Sequence, residues 1–142
     1  MDKLQLKLRL EDTTQGFLDF IVNGESLKER FHEANQLVGA LDNPMDDRQS
    51  MLLGCYLDGR ASPVSTGRVP LYFCHLCGDI DCGVLSVRIT FEGDVVRWND
   101  FWFECDYEEG PHRKCEYQPE YSFALVDYRS AFRGIASKVG VA

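Results

Sequence analysis

The chain has 142 residues, of which 44% are hydrophobic and 12% aromatic. That is about one domain, with enough apolar side chain to fill a core without disulfides or metals. A total of 15 Lys and Arg against 23 Asp and Glu gives a net charge of −8. This charge disfavours direct binding of nucleic acid or an anionic membrane and favours a basic protein partner. No apolar run of about 18 residues and no signal peptide is found. We therefore expect one cytoplasmic domain, residues 1–142, with reduced cysteines.

The first two predicted elements are strands. Apolar and polar residues alternate from Leu4 to Leu10, the pattern of a strand with one buried face. Residues 17–22 are a second apolar, β-favouring run, and Asn23-Gly24 is a strong turn signal. Together these residues predict an opening hairpin.

A helix is predicted next. Ser26 and Glu29 have the spacing of a capping box, in which each side chain satisfies a free backbone N–H of the first turn. Apolar residues follow at helical steps through residue 38, and Gly39 is a plausible stop signal. The apolar positions are Leu27, Phe31, Ala34 and Val38. The pattern predicts an amphipathic helix over residues 27–38.

The middle of the chain combines loops with apolar runs. Residues 42–48 are acidic and predict a loop. The apolar run at residues 51–57 predicts a buried strand, and residues 71–74 predict another that leads into a cysteine-rich turn.

A second hairpin is predicted around Gly93-Asp94. Residues 85–91 alternate in polarity before this turn, and residues 95–105 return the chain. The alternation is broken at Asn99-Asp100, which predicts a β-bulge or an edge. A last strand at residues 120–126 and a helix from about Asp127 complete the chain. The expected fold class is α+β, an antiparallel sheet with one or two helices packed on it.

The cysteine turn leaves three interpretations open. Cys74, Cys77 and Cys82 offer three thiolates beside glycine, which suits a zinc knuckle in a structural site or in a small metal-dependent enzyme. The fourth ligand is open, because Cys105, Cys115, His75 and His112 are all available. The cysteines can equally act as small hydrophobes at a tight corner. A thiol oxidoreductase is a further alternative, although such motifs usually begin a helix and this one precedes a strand.

Carboxylates and large aromatics suggest a protein-binding surface. Turns at strand ends can gather on one rim of a sheet, where carboxylates would attract a cationic partner and pair with its arginines. Aromatic side chains behind them would supply an anchor. The predicted partner-binding residues are Asp42, Asp46, Asp47, Asp79, Asp81, Trp98, Phe101, Trp102, Glu104, Asp106, Tyr107, Glu108 and Glu109.

Two segments carry a family resemblance. The run Cys-Gly-Asp-Ile-Asp-Cys-Gly at residues 77–83 and the run Trp-Asn-Asp-Phe at residues 98–101 resemble a family of small uncharacterised bacterial proteins. That family has a Cys-Gly-Asp-x-x-Cys-Gly turn, a strand and a Trp-x-Asp-Phe hairpin partner. The resemblance implies an α+β fold and a bacterial source, and it implies no activity or catalytic residue. Asp81 stands where a small residue is more usual, which adds charge to the turn.

By charge and size the chain also resembles bacterial immunity proteins, which cover the basic surface of a toxic nuclease. This likeness is one of class and not of motif. We therefore expect a non-enzymatic acidic protein that neutralises a basic toxin and needs no cofactor. The alternatives are a zinc-binding domain or metal-dependent enzyme at the cysteine turn, and a thiol oxidoreductase.

Overall fold

A computed structural model describes residues 1–9, 17–34, 37–41, 47–62, 64, 66–74, 83–104 and 113–138. In this part of the chain, nine strands form two antiparallel sheets and three helices pack on them. The predicted α+β class is confirmed. The strands are β1 (Leu4–Arg9), β2 (Phe17–Val22), β3 (Glu25–Ser26), β4 (Leu37–Gly39), β5 (Val69–Cys74), β6 (Val84–Glu92), β7 (Val95–Glu104), β8 (Arg113–Lys114) and β9 (Tyr121–Ala124). The helices are α1 (Leu27–Arg30), α2 (Asp47–Asp58) and α3 (Leu125–Lys138).

The two sheets differ in size. Strands β1, β2 and β3 form the smaller sheet, in that order. The larger sheet has the order β4-β5-β6-β7, and both β8 and β9 pair with the far side of β7. An isolated parallel bridge between Asp2 and Phe123 joins the first strand region to β9. The chain therefore closes its first and last strands on each other.

Both predicted hairpins are present. Strand β1 pairs with β2 from Leu4 opposite Val22 to Arg9 opposite Phe17. The Asn23-Gly24 turn follows β2, and both residues have positive φ, 54° and 84°. In the second hairpin the Gly93-Asp94 turn joins β6 to β7, with Gly93 at φ 58°. Such turns match the twist of the flanking strands, which is why glycine and asparagine favour them.

The first predicted helix is much shorter than expected. The Ser26 side chain caps it by accepting a hydrogen bond from the Glu29 N–H at 3.4 Å, but α1 ends at Arg30. A short 3-10 turn follows, and residues 37–39 pair with β5 as strand β4. The prediction of a helix to residue 38 is wrong, because residues 37–39 pair with β5 and this tertiary contact overrides helix propensity.

The predicted strand at residues 51–57 is also wrong. These residues belong to α2, which packs against β5 and α3. A short apolar run fits a buried helix as well as a buried strand, so periodicity alone does not distinguish them. The last strand is shorter than predicted, and α3 begins at Leu125, two residues before the expected start.

The core lies where the smaller sheet, the larger sheet and the helices meet. Gly39 of β4 approaches β2 most closely: a Cβ at this position would lie 2.2 Å from the carbonyl oxygen of Leu18. The Leu18 N–H donates to the Leu41 carbonyl at 3.0 Å, which holds the two chains at this separation. Glycine is therefore required at position 39 by space.

We predict that Gly39→Ala destabilises the fold by roughly 3 kcal/mol or more, because the new methyl group must push one sheet away from the other. The matched control is Gly24→Ala, where nothing lies near the added carbon. That control should cost only about 1 kcal/mol, from the positive φ. Urea unfolding measures both, and equal losses would contradict the close contact.

Candidate functional site

A β-bulge interrupts strand β7 of the larger sheet, where the sequence predicted a bulge or an edge. Ser86 of β6 pairs with Trp102 and Arg88 pairs with Asn99, so an extra residue of β7 lies between these pairs. Asp100 takes up the irregularity with φ 59°. A non-glycine residue in this conformation costs about 1–2 kcal/mol. Such local strain is found preferentially at binding and catalytic sites, so the bulge marks a candidate site.

A buried carboxylate lies beside the bulge. The Glu104 side chain is 1% exposed, and its Oε1 accepts a hydrogen bond from Arg68 Nη1 at 3.1 Å. Its Oε2 accepts a hydrogen bond from the Ser86 hydroxyl. Arg68 itself is 12% exposed, so both charges of this pair are largely removed from water. A buried charge of this kind is tolerated only because it is paired and hydrogen-bonded.

Asp100 extends this network to the surface. Its Oδ2 accepts from Arg68 Nε at 3.3 Å and from Arg88 Nε at 3.4 Å, and its Oδ1 accepts from Trp102 Nε1 at 2.7 Å. Partial burial acts to raise the pKa of Asp100, but the hydrogen bond from Trp102 and the Arg68 guanidinium outweigh it, so the pKa is lowered. The Arg68 guanidinium also lies 4.6 Å from the centre of the Trp102 ring, a cation–π contact.

A polar groove of about 280 Å³ opens at the bulge, between β8 and β9. The Gln118 side chain pairs with the backbone of Phe101 as a neighbouring strand would. Its Oε1 accepts a hydrogen bond from the Phe101 N–H at 3.0 Å, and its Nε2 donates to the Phe101 carbonyl at 2.6 Å. The groove can take polar groups of a ligand or of a partner protein. Its lining residues are Asn99, Asp100, Lys114, Gln118, Pro119 and Glu120.

Two predicted aromatic anchors lie in the core. Trp98 and Phe101 are both 0% exposed, so neither can contact a partner, and assigning them to a binding surface is wrong. Glu104 is also inaccessible, because Arg68 and Ser86 occupy its carboxylate. Trp102 is half-buried and keeps part of its ring at the surface. Of the predicted residues in β7, it is the one that a partner can reach.

Two of the predicted acidic segments are attached to one end of the larger sheet. Phe73 pairs with Val84, and Val84 pairs with Glu104, so β5 ends, β6 begins and β7 ends side by side. We call this the Cys74 end. Residues 75–82, with Asp79 and Asp81, connect the first two of these strands, and residues 105–112 follow the third. Both segments lie outside the described part of the chain. They include the predicted residues Asp79, Asp81, Asp106, Tyr107, Glu108 and Glu109.

The remaining acidic segment has a different attachment. Leu37 of β4 pairs with Cys74 and Gly39 pairs with Tyr72, so β4 runs away from the Cys74 end. Asp42 and Asp46 follow β4 and lie outside the described residues. Asp47 is the first residue of α2 and not part of the predicted loop. The described strands therefore do not gather this segment with the other two.

The cysteine turn lies almost wholly outside the described residues. The backbone of Cys74 ends β5, whereas Cys77 and Cys82 fall in residues 75–82. Among the residues that the structure describes, no group of three or more His, Cys, Asp or Glu side chains is arranged to hold a metal ion. The zinc and thiol oxidoreductase interpretations of the turn stay predictions.

Two other cysteines are described, and both are buried free thiols. Burial raises the pKa of Cys55, and burial together with the neighbouring Glu33 carboxylate raises that of Cys115 to about 12. A thiol with a raised pKa is almost entirely protonated at neutral pH and is a poor nucleophile. These two cysteines therefore act as packing residues.

The arginines of the network were missed at the level of sequence. Arg68 follows a glycine in a turn-rich segment, and Arg88 belongs to the polar face of an alternating strand. The pairing of Arg68 with Glu104 spans 36 positions. The broken alternation at Asn99-Asp100 is the one local signal of this site. It indicates an irregular strand, but it does not identify Arg68 and Arg88 as the residues that pair with Asp100.

Searches against models of known protein families, curated proteins and solved structures gave no match. The resemblance to the bacterial family with the Cys-Gly-Asp-x-x-Cys-Gly turn therefore stays a prediction. Within the described ranges, none of the helices has the length and apolar character needed to cross a bilayer.

We predict that Arg68→Ala destabilises the protein by roughly 2–4 kcal/mol, because it leaves the buried Glu104 carboxylate without its cation. Arg97→Ala is the control, since Arg97 pairs with Glu92 on the surface and such pairs contribute less than about 1 kcal/mol. The shift of the urea midpoint measures each loss. Equal losses for the two variants would show that the buried Arg68–Glu104 pair stabilises the fold no more than an exposed pair does.

A second prediction concerns pH. Because the pKa of Asp100 is lower in the folded state than the value of about 3.9 for an unfolded chain, its ion pairs contribute stability above that value. This contribution is lost as pH falls through the lowered pKa. Asp100→Asn keeps a side chain that tolerates positive φ but removes the charge, so the variant should be less stable than the parent at pH about 7 and approach it below about 4. A stability difference independent of pH would contradict this assignment.

Proposed function

We propose that the chain is a non-enzymatic acidic binding protein of the immunity-protein class, which neutralises a basic toxin by covering its cationic surface. A toxic nuclease is the most suitable partner, because an enzyme that binds a polyanion presents a positive surface. The site of contact proposed is the Cys74 end of the larger sheet.

One observation carries this proposal. The ends of β5 and β7 and the start of β6 are neighbours, so the two acidic segments at residues 75–82 and 105–112 are attached at the same end of one sheet. Together these segments hold five carboxylates, on Asp79, Asp81, Asp106, Glu108 and Glu109. Both segments are therefore joined to neighbouring strand ends.

The charge of the chain supports the same conclusion. With a net charge of −8, the protein attracts a basic partner over distances of about one Debye length, roughly 8–10 Å at physiological salt. Complementary charge of this kind raises the association rate and excludes acidic competitors. Trp102 is half-buried two residues before Glu104, so part of its ring can reach a partner near this end.

We predict that the chain binds the protein encoded by the adjoining gene, with an affinity that falls steeply between about 50 mM and about 300 mM salt. Neutralising the five carboxylates with Asp79→Asn, Asp81→Asn, Asp106→Asn, Glu108→Gln and Glu109→Gln should weaken binding by at least about tenfold. Titration calorimetry with the purified neighbour measures both effects, and survival of cells that express the neighbour tests neutralisation.

The matched control removes the same number of charges elsewhere. Five exposed carboxylates away from the Cys74 end are suitable: Glu25, Glu92, Asp94, Glu116 and Asp127. If the control weakened binding as much as the test variant, net charge and not the Cys74 end would be responsible. Absence of association with the neighbouring product would contradict the proposed function itself.

A further inference from the structure

A second groove, of about 300 Å³, lies between the last turn of α2 and one face of α3. Its lining is formed by Leu57, Asp58, Arg129 and Arg133. The volume is at the lower end of the roughly 300–1,000 Å³ typical of ligand pockets, which favours a small ligand. Gly59, next to this lining, packs against Phe91 near the β6–β7 turn, so the groove is remote from the Cys74 end.

Buried contacts hold the two walls of the groove in place. The Tyr128 hydroxyl donates a hydrogen bond to the Tyr56 carbonyl at 2.8 Å. The rings of Tyr56 and Phe132 stack at 5.4 Å with an angle of 23°. Each of these residues directly precedes a lining residue, so Leu57, Arg129 and Arg133 have fixed backbone positions. The groove is therefore a permanent feature that does not need a ligand in order to form.

Two cations and one anion line the groove. Arg129 and Arg133 are one helical turn apart on α3, and both are exposed. Among the described residues, neither forms an ion pair, and Asp58 forms none either. In a chain of net charge −8, two neighbouring guanidinium groups that no carboxylate of the described residues pairs with are available to an anion.

Each part of the lining selects a chemical group. Two guanidinium groups bind a carboxylate through paired hydrogen bonds. Asp58 and the carbonyl oxygens at the C-terminal end of α2 attract a cation, because the negative end of the helix dipole lies there. Leu57, which directly precedes Asp58, adds an apolar side chain to the lining. A ligand that satisfies all of them has a carboxylate, an ammonium group and an apolar body.

We propose that this groove binds a free α-amino acid with an apolar side chain. The carboxylate lies against Arg129 and Arg133, the ammonium group against Asp58, and the side chain on Leu57. Asp58 reduces the net charge of the lining to one positive charge, which disfavours a dianion such as phosphate. This site is independent of the proposed toxin contact.

Titration calorimetry of the full chain with L-leucine, L-methionine and L-phenylalanine tests the proposal. At least one of them should bind with a dissociation constant of about 1 mM or tighter. Isocaproate lacks the ammonium group of leucine, and isopentylamine lacks its carboxylate, so each should bind at least about tenfold more weakly. Inorganic phosphate serves as the probe for a simple anion site.

Variants assign the contacts. The double variant Arg129→Gln, Arg133→Gln should abolish amino-acid binding, whereas Asp58→Asn should weaken leucine by about tenfold without weakening isocaproate, which has no ammonium group for Asp58 to contact. The double variant Arg97→Gln, Arg113→Gln removes two exposed cations elsewhere and should bind normally. All these side chains are exposed, so circular dichroism should show intact folds. The proposal is overturned if none of the three amino acids binds at about 20 mM, if the first double variant binds normally, or if phosphate or isocaproate binds as tightly as leucine.

Discussion

The position of Trp98 determines how the parts of this fold fit together. Its ring makes edge contacts with Phe20 of the smaller sheet at 5.9 Å, with Phe123 of β9 at 5.3 Å and with Tyr128 of α3 at 6.0 Å. Its Nε1–H donates to the Tyr128 hydroxyl at 3.3 Å, and that hydroxyl donates to the Tyr56 carbonyl of α2. One buried residue therefore connects both sheets and two helices. Each aromatic pair contributes about 0.5–1.5 kcal/mol beyond its buried area, and the indole and hydroxyl donors are satisfied inside the core.

Because of the bulge at Asp100, strand β7 places both Trp98 and Phe101 in this core. Side chains alternate along a regular strand, so residues 98 and 101 would face opposite sides of the sheet. The extra residue of the bulge returns Phe101 to the side of Trp98, and both are fully buried. The same shift leaves Trp102 on the outer side beside Arg68. The broken alternation at Asn99-Asp100, which predicted a bulge or an edge, is explained by the bulge. It did not show that Trp98 and Phe101 belong to the core and not to a partner surface.

Local signals predicted the elements that depend on neighbouring residues, and failed where distant contacts decide. The hairpins, the Ser26 cap and the bulge each follow from a few adjacent residues, and all are present. The helical pattern at residues 27–38 was overridden because residues 37–39 pair with β5, more than 30 positions away. The run at residues 51–57 forms a helix, since α3 and β5 cover it, which no local pattern encodes. The ion pair of Arg68 with Glu104 could not be predicted from local sequence either, because the two residues are 36 positions apart.

The distribution of charge on the outer side of the larger sheet limits how a basic partner can approach. Arg88 and Arg97 are exposed on β6 and β7, and Lys114 is exposed on the neighbouring β8. The arginines of this side are paired with carboxylates: Arg88 with Asp100, Arg97 with Glu92, and Arg68 with both Asp100 and Glu104. Like charges facing each other across an interface cost several kcal/mol. Under the proposed function, the carboxylates of this face are already engaged by arginines and Lys114 adds a positive charge, so the contact is left to the acidic segments attached at the Cys74 end.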